Sequence, residues 1–144
     1  MAANDYLTVS TYEVKIDNLP GDSFIRVSGI GIEAEDIPAK DDNGKHTVNT
    51  PGCTNARDIT LVRRFSGDKS LHDWMQEVKT KGNLAKKRTG SVRLLNNEQK
   101  QVAQFDFDGA WMKAWYGPEL SKDAMGNTIL AETAVLSVLD IKMV

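Results

Sequence analysis

The sequence predicts a mainly β fold, a single-domain β-barrel or two-sheet sandwich of six to seven antiparallel strands with one α-helix. Three observations carry that expectation. Apolar and polar residues alternate through most of the chain, as half-buried strands require. Only one segment repeats its apolar residues at helical spacing. The length, 144 residues, suffices for one cored domain and is too short for two. With 40% hydrophobic and 26% charged residues the composition is that of a folded globular chain, which excludes disordered, collagen-like and coiled-coil classes.

Tyr12, Val14 and Ile16 alternate with Glu13, Lys15 and Asp17, giving a first strand that ends at the turn signal Asn18-Leu19-Pro20-Gly21-Asp22. Phe24 to Asp36 reads as one long strand, bent at Gly29 and Gly31. From Ile37 to Asn55 the alternation stops. Those nineteen residues, rich in Pro, Gly, Asp and Asn, read as a long loop that is either functional or paired with something outside the monomer. Asp58 to Arg64 is the next strand, with Ile59 and Leu61 on one face. Leu71, Trp74, Met75 and Val78 then predict a helix over about 69–81, capped by Asp68 or Ser70, closed by Lys79 and Lys81 in its last turn and stopped at Gly82. Strands follow at Ser91–Leu95, Gln101–Ala110, Trp111–Tyr116 and Thr128–Met143, separated by turns at Asn96-Asn97-Glu98, Gly117-Pro118 and Met125-Gly126-Asn127.

The chemistry of the side chains excludes more than it offers. Cys53, the only cysteine, has just His46 and His72 as soft companions, too few for a zinc site and without an orienting group for nucleophilic catalysis. Asp41-Asp42-Asn43-Gly44-Lys45 lacks the alternating ligands and closing glutamate of a calcium loop, and Gly29-Ile30-Gly31 opens no helix that would bind phosphate. Asp106 and Asp108 share a strand face with no partner acid. No enzyme activity, cofactor or metal is therefore expected. The basic run Lys86-Lys87-Arg88 with Arg93 is not interleaved with the aromatic residues Trp111, Trp115 and Tyr116, which argues against a nucleic-acid surface. No apolar run approaches the roughly 20 residues of a membrane span and the N-terminus lacks a signal peptide's pattern, so a cytoplasmic origin without membrane anchoring is expected.

Charge is uneven. Residues 1–60 carry ten acidic and five basic side chains, net −5, whereas residues 61–144 carry ten acidic and thirteen basic, net +3. The two regions are either ordinary solvated faces or the halves of a head-to-tail contact.

Several ordered pieces resemble the tube proteins of contractile phage tails and of extracellular contractile injection systems. Tyr12-Glu13-Val14-Lys15-Ile16-Asp17 with Val27-Ser28-Gly29-Ile30 resembles that family's opening hairpin. Ile59-Thr60-Leu61-Val62-Arg63-Arg64 followed by Leu71-His72-Asp73-Trp74 is similar to its strand and helix, and Lys87-Arg88-Thr89-Gly90-Ser91-Val92-Arg93-Leu94-Leu95 to its R-R-x-G-S-V-x-L-L strand. Phe107-Asp108-Gly109-Ala110-Trp111, Trp115-Tyr116-Gly117-Pro118 and Glu132 with Leu136 complete the series. Met112 stands where the family often has proline, and the 37–55 segment lacks its usual Arg-Lys-Leu-Pro-Gly run.

The resemblance implies a homo-hexameric ring, stacked into a hollow conduit for DNA or protein cargo, inside a contractile sheath and between baseplate or spike and terminator proteins. It implies a component of a virion tail or a released particle. The tube protein of type VI secretion systems is a near alternative; a monomeric β-barrel ligand binder is the alternative from another class. Under the tube reading the 37–55 loop is an assembly loop. The contact candidates are then the acidic stretch Glu33, Glu35 and Asp36, the loop residues Lys40, Asp41, Asp42, Asn43, Lys45 and His46, and the basic Lys86, Lys87 and Arg88.

Overall fold

The computed structural model describes residues 9, 11–19, 24–40, 42–120, 122 and 130–144. Among them are nine strands and one α-helix: β1 (Thr11–Ile16), β2 (Phe24–Ser28), β3 (Ile32–Lys40), β4 (Thr47–Ala56), β5 (Ile59–Arg64), α1 (Ser70–Lys81), β6 (Arg88–Leu95), β7 (Gln101–Tyr116), β8 (Ala131–Ser137) and β9 (Asp140–Met143). A 3-10 turn over Gly82–Leu84 follows the helix. The expected mainly β class with a single helix is what the chain adopts.

Seven strands run in the order β1-β6-β7-β8-β5-β2, with β9 added on β7, and every pairing is antiparallel. β7 is the long member. Its first half pairs with β6 and β9 and its second half with β8, so one strand belongs to two packed halves of the sheet. The change of partner falls at Gly109, whose φ of +63° suits glycine, and is flanked by register shifts on both neighbours. Val14, Ile16, Val92, Phe107 and Ile141 from one half face Ile59, Leu61, Met112, Ala134 and Leu136 from the other, and Leu71 and Trp74 of α1 close the core. The stripe that predicts the helix is the one it buries. Asp68 accepts a hydrogen bond from the Ser70 N–H at 2.9 Å, and the helix stops at Gly82 with φ +56°.

Three expectations change. The segment 37–55, expected as an irregular loop, is most of an antiparallel hairpin of β3 and β4, with residues 42–46 at its tip. All nine residues of β3 are exposed, and so is nearly all of β4. With neither face packed on a core nothing enforces apolar alternation, and with no third strand Pro38 and Pro51 leave no ladder partner wanting. The long strand expected over Phe24–Asp36 is broken at 29–31, because β2 pairs with β5 whereas β3 pairs with β4. The strands expected at 101–110 and 111–116 are one continuous β7, while the segment ending at Met143 splits into β8 and β9, which pair with opposite halves of β7. These changes turn six or seven strands into nine. The turn at Met125-Gly126-Asn127, and Pro20 to Asp22 of the first turn, lie outside the described residues.

The hairpin joins the body through two short crossings side by side. The Arg57 N–H donates to the Gly31 carbonyl at 2.9 Å, and at Gly29, with φ +86°, an added Cβ would overlap the Asp58 carbonyl oxygen. Gly67 has the same φ of +86° but open space around it. Gly67→Ala should therefore cost about 1 kcal/mol, the backbone penalty alone. Gly29→Ala should cost at least twice that, read as the shift in urea midpoint at unchanged m-value.

Candidate assembly surface

The surface is built on a charged core. Register places Arg63 of β5 opposite Glu132 of β8, and both point inward, at 3% and 1% exposure. The Arg63 Nε–H donates to Glu132 Oε1, and Glu132 Oε2 accepts the Trp115 indole N–H at 3.1 Å. Arg63 Nη2 donates to the Asp68 carbonyl at 3.3 Å, and Nη1 stands 3.7 Å from the Asp68 carboxylate. This network ties β5, β7 and β8 to the turn that starts α1, and its saturation with hydrogen bonds is what makes a buried ion pair tolerable. Alternation carried one step further would have exposed it: Arg63 shares the inward face of Ile59 and Leu61, and Glu132 that of Ala134 and Leu136.

Outside this core lie two groups of surface residues. Glu33, Glu35, Asp36 and Lys40 are exposed on β3, and Asp42, Asn43, Lys45 and His46 are exposed at the hairpin tip. Asp41 lies outside the described residues. Glu33 is paired with Arg57 at 3.4 Å, a solvent-exposed contact of little energetic weight. Lys86 and Lys87 are exposed in the connection from the 3-10 turn to β6. The acidic and basic groups thus belong to different elements, the hairpin and the α1–β6 connection.

Arg88 differs from its two neighbours. Its guanidinium stacks 4.2 Å from the Trp74 ring centroid and 3.7 Å from Glu77, with the side chain only 11% exposed. Burial lowers its pKa, and the carboxylates of Glu77 and Asp17 oppose that shift. Among the described residues, Arg88 Nη1 and Trp74 Nε1 are buried polar atoms without a partner in the chain. Arg88 thus packs against the helix, and the accessible cations are the two lysines.

The sheet also has open edges. Among the described residues β1 pairs with β6 alone, and β2 with β5 alone. Ile25 on β2 is 50% exposed. Edges of this kind are templates for further strands. Among the described residues there is no group of three or more His, Cys, Asp or Glu side chains that would hold a metal ion, and no helix is long and apolar enough to cross a membrane.

The structure thus joins an exposed two-stranded arm to an antiparallel sheet with open edges, and the sequence matches the T4-like virus tail tube protein gp19 family over residues 9–142. The chain belongs to that family. By family it is a tail tube protein, a structural subunit. No curated protein matches its sequence. Its fold is similar to a chain of the extracellular contractile injection system PVC sheath–tube complex in the extended state, at 22% identity and TM-score 0.82 over 99% of this chain and 93% of that one. It is equally similar to a chain of the anti-feeding prophage cap, at 20% identity and TM-score 0.82 over 100% and 94%. Likeness to Hcp1 from Flavobacterium johnsoniae is lower, at 18% identity and TM-score 0.60 over 92% and 94%.

Removing one member of the buried pair strands the other. Glu132→Gln or Arg63→Met should each lower the unfolding free energy by about 3–5 kcal/mol. Arg63→Met combined with Glu132→Leu should recover at least half of the loss, measured by urea denaturation of the isolated tail tube protein.

Proposed function

We propose that this tail tube protein forms homo-hexameric rings that stack into a hollow conduit, carrying DNA or protein cargo through a target envelope when a surrounding sheath contracts. The observation that carries the reading is the β3–β4 hairpin: a tube family member whose 25-residue arm, Ile32 to Ala56, has both faces exposed. Two-stranded hairpins are marginal in water on their own, so this one calls for a surface outside its own chain. The open edges of β1 and β2 supply a second contact, around the ring, where strands of neighbouring subunits would pair and satisfy each other's backbone groups.

In this reading the chain works as one domain with the hairpin as its assembly arm. Its contact residues are Glu33, Glu35, Asp36, Lys40, Asp41, Asp42, Asn43, Lys45, His46, Lys86 and Lys87. The partners are a contractile sheath protein around the tube, a baseplate or spike protein at one end and a terminator at the other. That assignment is supported by the likeness to chains from a sheath–tube complex and a tube-terminating cap. The work of the subunit is mechanical and needs neither a catalytic step nor a cofactor. Assembly takes place in the cytoplasm, and the product is a virion tail or a released injection particle.

Negative-stain electron microscopy of the protein, expressed alone and with its neighbouring genes, should show six-fold rings or hollow tubes in at least one sample. A persistent monomer beside demonstrably expressed sheath and baseplate proteins would overturn the reading. Deleting residues 41–46 should abolish tubes while leaving the monomer's circular dichroism and urea midpoint unchanged. Intact tubes in that variant would show the hairpin tip to be dispensable.

A further inference from the structure

Beside the C-terminal end of α1 lies a groove of about 420 Å³, lined by Val78, Gly82, Ala85, Lys87 and Trp111 among others. Its surroundings are apolar and unusually exposed, with Leu84 at 87% and Trp111 at 37%. They are also basic. Residues 77–88 contain Lys79, Lys81, Lys86, Lys87 and Arg88 against the single acid Glu77, a net charge of +4 (5 − 1). An apolar slot beside lysines fits a segment that offers apolar side chains next to carboxylates.

β3 is such a segment. Alternation along β3 puts Glu33, Glu35, Ile37 and Ala39 on one face, and a Cβ added at Gly52 across the hairpin would meet the Ile37 and Glu35 side chains, which fixes both on that face. Val48, opposite Ala39, continues it. Ile37 and Val48 are 44% and 48% exposed, so the face offers accessible aliphatic surface. Two carboxylates followed by an apolar cluster therefore match lysines beside an apolar groove, in both sign and character. Among the described residues the strands of the hairpin pair only with each other, and β4 touches β9.

We propose that the groove between the end of α1 and Trp111 receives the Glu33–Ala39 face of the β3–β4 hairpin from a second copy of this chain, with Ile37 against Trp111 and Leu84, and Glu33 and Glu35 facing Lys86 and Lys87. The contact is heterologous, since hairpin and groove are different surfaces, and it propagates from subunit to subunit. It rests on the tube reading above and specifies which two surfaces make one of its contacts.

The test uses the protein co-expressed with its neighbouring genes, with tube recovery read by sedimentation and electron microscopy. E33K/E35K and K86E/K87E, all at exposed positions, should each lower recovery at least tenfold while the isolated variants keep the wild-type circular dichroism. Combining the four changes in one chain restores opposite charges across the contact and should bring recovery to within about threefold of wild type. Ile37→Ser and Trp111→Ser should each lower recovery, and together should lower it no further than the more severe of the two, as side chains sharing one contact do. Wild-type tubes combined with an unrescued four-fold variant, with unaffected single sets, or with multiplying Ile37 and Trp111 effects would overturn this docking and leave the tube reading standing. Failure of the wild-type protein to form tubes at all would overturn both.

Discussion

The fold depends on β7 being shared. At sixteen residues it is long enough to pair with β6 and β9 along its first half and with β8 along its second, so two packed layers are covalently one strand. Any change in its register would turn the inward residues Phe107, Ala110 and Met112 out of the core and disturb both layers together. The glycine at the change of partner, and the bulges beside it, let one chain bend between layers without losing alternation on either side. The single helix packs against this strand, which places the end of α1 next to Trp111.

The buried Arg63–Glu132 pair sits where the second half of β7 meets β8 and β5, and it draws Trp115 and Asp68 into the same network. Apolar residues of similar volume would fill that space without any desolvation penalty. What the ionic version adds is directionality: the guanidinium fits between one carboxylate and the start of the helix only when strand register and helix position are both correct. His72 of the helix, set edge-on to the Trp115 ring at 5.2 Å, extends that fit by one more layer.

How much of this was legible in the residues follows from what water enforces. Where one face of a strand is buried, alternation is strict, and β1, β5 and β6 lie where the pattern places them, with β8 inside the longer strand expected there; the helix is equally plain because Leu71 and Trp74 must face the core. The hairpin was illegible as structure because neither of its faces is buried, so its sequence carries turn formers and charges without a period. What the sequence does show there is an aperiodic stretch of unusual length. The ion pair was hidden by habit: a charge on an inward face reads as noise until a second charge of opposite sign turns up on the inward face of another strand. Arg88 was misplaced for the converse reason. A run of three basic residues looks uniform in sequence, whereas a strand that begins at its third member turns that one side chain onto Trp74 and away from solvent.

The two short crossings at the hairpin's base have a consequence for divergence. Since the arm buries none of its residues and meets the barrel at the crossings 29–31 and 57–58 and where β4 touches β9, its outer residues can be exchanged, lengthened or recharged with little penalty to the core that carries them. If the hairpin is the docking arm proposed above, substitutions confined to about two dozen residues would change which copies dock while the barrel remains fixed. Two such chains made in one cell could keep their particles separate through this segment alone.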